Sequence, residues 1–202
     1  MARRRATVPR STGTLLVCLL AIGMLAVSLL STHWTYDYTS GRKTPDGGLH
    51  DPDNTGIERE HVEFSPFRVE GDVEPTNPAA AKQYADLLGY ALVGALALFA
   101  LAALAEVPGL GFLPRWSRLT LIPLGSLAAA AAAAIVWFLI PATMEGHGVD
   151  GPFAAHLRGD GDGYIRTSLQ AGWIAVTAAS GVSLGAILLR YQAGSDEAEQ
   201  FL

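Results

Sequence analysis

The sequence predicts an all-α membrane protein, a four-helix transmembrane bundle with a small β-containing extracytoplasmic loop domain. Three observations support this fold class: four long stretches carry no charged side chain, arginines and acidic residues divide between their two sides, and one intervening segment alternates aromatic with polar residues. Each uncharged stretch, at about 1.5 Å per residue, is long enough to cross a hydrocarbon core of about 30 Å. Half of the residues are hydrophobic and 16% are charged, which leaves material for one bundle and one modest loop domain.

The boundaries follow from these stretches and from the residues that flank them. Transmembrane helices are predicted at 11–33, 85–106, 119–142 and 167–190. Extracytoplasmic segments are predicted at 34–84 and 143–166, and cytoplasmic segments at 1–10, 107–118 and 191–202. The first stretch has the arginine-rich start of a signal peptide, but it is full length and lacks a small-x-small cleavage site, so a retained anchor is expected.

The arginines next to the uncharged stretches set the orientation. They precede the first stretch, connect the second to the third and follow the fourth: Arg3, Arg4, Arg5, Arg10, Arg115, Arg118 and Arg190. The positive-inside rule places all of them in the cytoplasm, so both termini are expected inside, and the expected location is the plasma membrane. This orientation accounts for the basic N-terminus without nucleic-acid binding. Most acidic residues, and so the net charge of −5, are expected outside.

Small residues along the predicted spans indicate how the helices associate. Lipid tails compete for apolar surface, so helix contacts in a membrane rely on close packing at glycine and alanine. The candidate packing residues are Gly94, Gly125, Gly181 and Gly185, the last two in a Gly-x-x-x-Gly spacing. Packing within the bundle is the main interpretation, and a face for a partner helix is the alternative.

The first extracytoplasmic segment is expected to carry the function. Trp34, Tyr36 and Tyr38 alternate with polar residues, which predicts a half-buried strand that continues from the first span. Phe64 and Phe67 lie in a second extended stretch that is broken at Pro66. A small sheet on the bundle is the simplest arrangement, because an isolated hairpin is marginally stable in water. The second extracytoplasmic segment is rich in glycine and is expected to be less structured.

Four spans, cytoplasmic termini, a long first outer loop and a tryptophan directly after the first span resemble the claudin and peripheral-myelin-protein superfamily. In that family the first loop is a small sheet with a tryptophan, a Gly-Leu-Trp motif and two disulfide-bonded cysteines. Trp34, Gly48 and Leu49 match this pattern, whereas His50 replaces the third aromatic residue and the cysteine pair is missing. The resemblance implies adhesion, lateral assembly or a role as an accessory subunit.

A metal site in the outer segments is the alternative from another functional class. All five histidines fall in these segments or, for His33, at the outer end of the first span, in company with acidic residues. His50 with Asp51 and His61 with Glu63 form candidate ligand pairs for a borderline metal, although no His-x-x-x-His or Cys-x-x-Cys spacing fixes a geometry. The acidic, glycine-containing turns also have a weak likeness to calcium loops.

The sequence carries no nucleophile elbow, phosphate loop or dinucleotide fingerprint. We therefore expect a non-enzymatic, multi-pass membrane protein without a resident cofactor. Its expected partners are the lipid bilayer and other membrane proteins or further copies of itself. The residues expected to form contacts or to build the loop are Trp34, Tyr36, Tyr38, Gly48, Leu49, Phe64 and Phe67. Metal handling is the second interpretation, and a small transporter is the third.

Overall fold

The computed structural model describes residues 10–40, 42–43, 49–50, 59–107, 115–157 and 163–199. It is mainly helical. The helices are α1 (Arg10–Leu29), α2 (Pro78–Glu106), α3 (Arg115–Ala134), a single turn α4 (Ile140–Ala142) and α5 (Ala171–Glu199). A π-helical segment, Ile135–Leu139, joins α3 to α4 without a break, and a 3-10 turn follows at Glu145–His147. The mainly helical character predicted from the sequence is confirmed.

Three helical segments are long and apolar enough to span a membrane: Thr12–Leu29, Pro78–Glu106 and Thr120–Ala142. The apolar part of α5 that the search covered, Ala171–Gly185, is shorter. Helix α1 ends at Leu29 and not at residue 33, because the chain turns there into a strand. Helix α5 begins at Ala171 and not at residue 167, because Thr167, Ser168 and Leu169 pair with that same strand.

The long helices pack in a ring, with α1 against α2 and α5, and α3 against α2 and α5. The Ser126 and Ser183 hydroxyl groups lie 2.6 Å apart and are both buried, which joins α3 to α5 through a polar contact. Such a bond is favoured where neither hydroxyl group reaches water. The ring therefore holds together by close packing with a few internal hydrogen bonds.

Only one of the four predicted packing glycines lies at a close helix contact. A Cβ atom at Gly125 would lie 3.0 Å from the Phe99 ring on α2, which is tight packing between α3 and α2. A Cβ atom at Gly94, Gly181 or Gly185 would meet no described atom within 4 Å. Among the described residues these three glycines therefore lie away from close helix contacts.

Five antiparallel strands form one sheet in the order β5-β4-β1-β7-β6. The strands are β1 (Trp34–Ser40), β4 (Arg59–Ser65), β5 (Arg68–Gly71), β6 (Ala155–Leu157) and β7 (Gly163–Leu169); a separate pair is formed by β2 (Arg42–Lys43) and β3 (Leu49–His50). The predicted strand at Trp34 and the predicted extended stretch broken at Pro66 are both confirmed. The second inter-helix segment, expected to be less structured than the first, contributes β6 and the first part of β7, and β7 pairs with β1 along its whole length.

The sheet is fixed to the helices where α1 ends and α5 begins. His33 N–H donates to the Phe64 carbonyl at 2.8 Å, and its carbonyl accepts from Gln170 N–H at 2.9 Å. Gly172 N–H donates to the Thr32 carbonyl at 3.0 Å, and the Ser28 hydroxyl lies 2.9 Å from the Gly172 carbonyl. These bonds satisfy backbone groups that the helix and strand ends would otherwise leave unpaired. The sheet is consequently a rigid extension of the bundle.

The β4–β5 turn is a second attachment point. Phe67, the second residue of the turn after Pro66, has a positive φ of 64°, which costs free energy in a non-glycine residue. Its N–H donates to the Ala85 carbonyl on α2 at 2.9 Å, and its ring packs on Gly89 and lies 5.3 Å from the Tyr90 ring. The contacts with α2 offset the cost of this conformation.

We expect Gly89→Val to lower the free energy of unfolding by about 1–3 kcal/mol, because its Cβ would overlap the Phe67 ring. In a Phe67→Ala background, Gly89→Val should lower the free energy of unfolding by much less, because the ring that its Cβ would overlap is absent. Gly94→Val is the matched control on the same helix, with open space at its Cβ. Denaturant unfolding of the four proteins in this cycle measures the coupling, and additive effects would show that the contact does not form.

Candidate interaction surface on the outer sheet

The alternation of residues along the strands gives the sheet one buried face and one polar face. Buried side chains on the first face include Trp34, Tyr36, Val62, Phe64 and Ile165. Trp34 is fully buried, with its indole N–H donating to the Pro152 carbonyl at 3.2 Å and its ring 5.4 Å from that of Phe64. The first face therefore forms the core between the sheet and the second outer segment.

The polar face is built by three adjacent strands, β4, β1 and β7. We define it by the six residues that alternate with the buried ones: Thr35, Asp37, His61, Glu63, Arg166 and Ser168. In the antiparallel register Asp37 lies between His61 and Arg166, and Thr35 lies between Glu63 and Ser168. Directly opposite residues are close enough for their side chains to interact. This register creates two rows of polar side chains across the middle of the sheet.

The first row is centred on the His61 imidazole. Its Nδ1 lies 2.6 Å from Asp37 Oδ1 and its Nε2 lies 2.9 Å from Glu63 Oε1, while the Thr32 hydroxyl donates to Glu63 Oε2 at 3.1 Å. An ionised carboxylate only accepts, so two carboxylates at the two ring nitrogens favour the protonated imidazole, in which both nitrogens donate. The hydrogen bonds with Glu63 and then Asp37 raise the pKa of His61, and the bond with His61 lowers the pKa of Glu63.

Apart from Glu63, which contacts His61 of the first row, the second row is an uncharged network. The Thr35 and Ser168 hydroxyl oxygens are 2.9 Å apart, and the Gln170 amide donates to them at 2.9 and 2.7 Å. Gln170 directly precedes α5, so the network also ties β1 and β7 to the helix ring. Thr35 is buried by these contacts, whereas the side chains of Asp37, His61 and Glu63 remain 41–46% exposed. The polar face is thus preorganised and accessible to a partner.

The predicted loop residues are divided between core and surface. Trp34, Tyr36, Tyr38 and Phe64 are buried and build the sheet, and Phe67 is 38% exposed at the contact with α2. Leu49 pairs with Lys43 in the small two-stranded sheet, and Gly48 lies outside the described residues. Exposed contact residues of this sheet therefore come from the other side of the strands.

The predicted metal pairs are only partly described. His61 and Glu63 are in contact, but Glu63 and Asp37 lie at different ring nitrogens and do not converge on one point. His50 pairs with Arg42 through its backbone, and Asp51 lies outside the described residues. Within the described ranges no group of three histidine, cysteine or acidic side chains has a geometry that could hold a metal ion.

Four residues of this surface were not predicted: Thr35, Asp37, Arg166 and Ser168. Thr35 and Asp37 lie in the predicted strand, where the aromatic alternation indicates only that they face away from the core. Arg166 and Ser168 belong to β7, whose alternation of buried Ile165 and Thr167 with exposed or half-buried neighbours is the sequence signal that was available.

We expect the His61 ring to titrate above 6.5, with its proton bound more tightly in the folded protein. The protonated ring therefore stabilises the fold at lower pH, and this contribution is lost as the pH rises through the raised pKa. Glu63→Gln should move the pKa of His61 back toward its usual value, and Ser168→Ala, on the same face, should not. NMR titration of the ring measures this shift, and an unchanged pKa in Glu63→Gln would contradict the geometry.

Comparison of the sequence with models of known protein families gives no match, and comparison with curated proteins gives no match either.

Proposed function

We propose that this chain is a four-span integral membrane protein that acts through protein contacts made by the polar face of its outer sheet. The observation that carries the proposal is the joining of both inter-helix segments in one sheet, which is fixed to α1 and α5 and presents Asp37, His61, Glu63 and Arg166. Three helical segments have the length and hydropathy of membrane spans, and α5 is proposed as the fourth. The positive-inside rule supports cytoplasmic termini in the plasma membrane.

The chemistry of the polar face supports recognition of another protein. A rigid, exposed surface with both charge signs favours specific pairing, since charged groups at an interface select the partner and its register. Assembly, adhesion or action as an accessory subunit all use such a surface, as the resemblance to the claudin superfamily implies. The proposal assigns no catalytic residue and no cofactor.

A photoreactive amino acid at Arg166 tests this function. Arg166 is exposed at one side of the polar face, opposite Asp37, and Glu74, exposed on the chain that leads to α2, is the control position. We expect irradiated cells to give one dominant adduct from position 166, whose mass identifies a partner or a second copy. Asp37→Lys, made in the protein that carries the label, should abolish that adduct. Equal adducts from both positions, or none from position 166, would contradict the proposal.

A further inference from the structure

A cavity of about 590 Å³ lies between the outer end of α3 and the segment that follows it. Trp137, Phe138 and Pro141 form its apolar side, and Glu145 and Asp150 line its polar side. Its volume falls within the range of about 300–1,000 Å³ that small-ligand sites occupy. It is separate from the polar face of the sheet.

The π-helical segment positions the aromatic side. Ile140 N–H donates to the Ile135 carbonyl, five residues back, so this turn contains one more residue than a turn of α-helix. The Trp173 indole donates to the Ala133 carbonyl at 3.2 Å, just before this segment. The Trp137 ring lies 5.5 Å from the Trp173 ring and 5.7 Å from the Phe153 ring. Trp137 is therefore held in place by neighbours on two sides, and such insertions are frequent at functional sites.

The charge of the cavity selects the sign of its ligand. Among the nine described residues that line it, two are carboxylic acids and none is a lysine, arginine or histidine. Aromatic faces attract ammonium groups through the ring quadrupole, and a nearby carboxylate adds to this attraction. An anionic or phosphate head would be repelled. Aromatic rings beside carboxylates thus fit an alkylammonium group.

The surroundings of the cavity indicate an amphiphilic ligand. Phe138 and Phe153 are 68% and 63% exposed, so both rings are open to a ligand or to lipid beside the cavity. Phe138 belongs to the apolar segment Thr120–Ala142, whose outer end would reach the membrane surface in the proposed topology. An alkyl chain can lie along Phe138 while its head enters between Trp137 and Glu145.

We propose that this cavity binds the alkylammonium head of a membrane amphiphile, with Trp137 and Glu145 contacting the ammonium group and Phe138 contacting the alkyl chain. The inference rests on the proposed function in one respect, because it needs α3 to cross the membrane. It goes beyond that function in assigning a lipid-side ligand to a site remote from the contact surface.

The test uses the full chain in nanodiscs and three soluble probes below micelle concentrations: octyltrimethylammonium, octyl sulfate and tetramethylammonium. Titration calorimetry with empty nanodiscs as the blank separates protein binding from partition into lipid. We expect saturable binding of octyltrimethylammonium, weaker binding of tetramethylammonium and none of octyl sulfate. Glu145→Gln and Phe138→Ala should each weaken the binding of octyltrimethylammonium by about fivefold. Glu70→Gln, which removes an exposed carboxylate on β5, should leave this binding unchanged.

Equal binding of the cationic and anionic probes would overturn the inference, since it would show unspecific apolar adsorption. Unchanged affinity in Glu145→Gln and Phe138→Ala would overturn it as well. A chain that does not enter nanodiscs would overturn both this inference and the proposed function. A chain that enters them and binds no ammonium probe would overturn this inference alone.

Discussion

Replacing Trp34 by alanine is expected to lower the free energy of unfolding by about 3–5 kcal/mol, one of the two largest effects we predict. Trp34 is the first residue of the central strand and is fully buried between β4 and the second outer segment. Alanine removes its contact with the Phe64 ring, its hydrogen bond to the Pro152 carbonyl and the volume that fills this part of the core. The loss should appear in thermal or denaturant unfolding of the protein in nanodiscs.

Trp34→Phe provides the matched control, because it keeps most of the ring volume and removes the indole N–H. It should cost clearly less than Trp34→Ala. A loss below about 1 kcal/mol for Trp34→Ala, typical of a surface position, would show that the sheet does not close over this residue.

Acidification from pH 6.5 to pH 4 is expected to remove about 3 kcal/mol of stability through His33 alone. His33 lies beyond the end of α1 and is fully buried, and this burial lowers its pKa from 6.5 to about 4, despite a hydrogen bond to the Ser31 carbonyl that raises it. The unfolded chain therefore binds a proton that the folded chain does not bind in this interval. Stability is fully present above pH 6.5 and falls as the pH approaches 4.

The hydrogen bonds around His33 are compatible with the neutral form that its burial favours. Nδ1 lies 3.0 Å from the Ser31 carbonyl and donates to it, so Nε2, 2.9 Å from the Ser28 hydroxyl, is the accepting nitrogen. The Ser28 hydroxyl also lies within hydrogen-bond distance of the Gly172 carbonyl. Its single hydrogen can be donated either to this carbonyl or to His33 Nε2, but not to both at once. His33→Gln should flatten the stability difference between pH 6.5 and 4 relative to the wild type. An identical pH profile in the variant would refute this account.

The helices and most of the first outer segment could be predicted from local sequence. Uncharged stretches of about twenty residues are a strong signal for long apolar helices. A helix that spans a bilayer needs an apolar exterior, and a ring of packed helices needs an apolar core. The alternation at Trp34, Tyr36 and Tyr38 gave β1, and the break at Pro66 gave the β4–β5 turn. Each of these features depends on residues that are neighbours in the chain.

The features that were missed depend on contacts between distant residues. Strand β7 was not predicted because its pairing with β1 joins residues about 130 positions apart, and no local pattern reports such a partner. Thr167 and Leu169 have no charge, so local sequence alone assigns this strand end to the span that follows. The open surroundings of Gly181 and Gly185 likewise depend on which face of α5 meets α1 and α3.

The candidate surface was predicted only in part for the same reason. His61 and Glu63 are two residues apart in one strand, so their shared face follows from the alternation. The approach of Asp37 to His61 depends on the register between β1 and β4. The position of Arg166 opposite Asp37 depends on the pairing of β7 with β1. The sequence contains these residues, but the fold decides which of them meet.

Cysteine accessibility in intact cells tests whether the sheet built from both inter-helix segments lies outside the membrane. Cys18 is buried and provides a silent background. We predict that a membrane-impermeant maleimide labels Glu70→Cys and Arg166→Cys in intact cells, and labels Arg5→Cys and Gln200→Cys only after permeabilisation. Labelling of Arg5→Cys or Gln200→Cys in intact cells, or of neither sheet position, would contradict the proposed topology and the contact surface that depends on it.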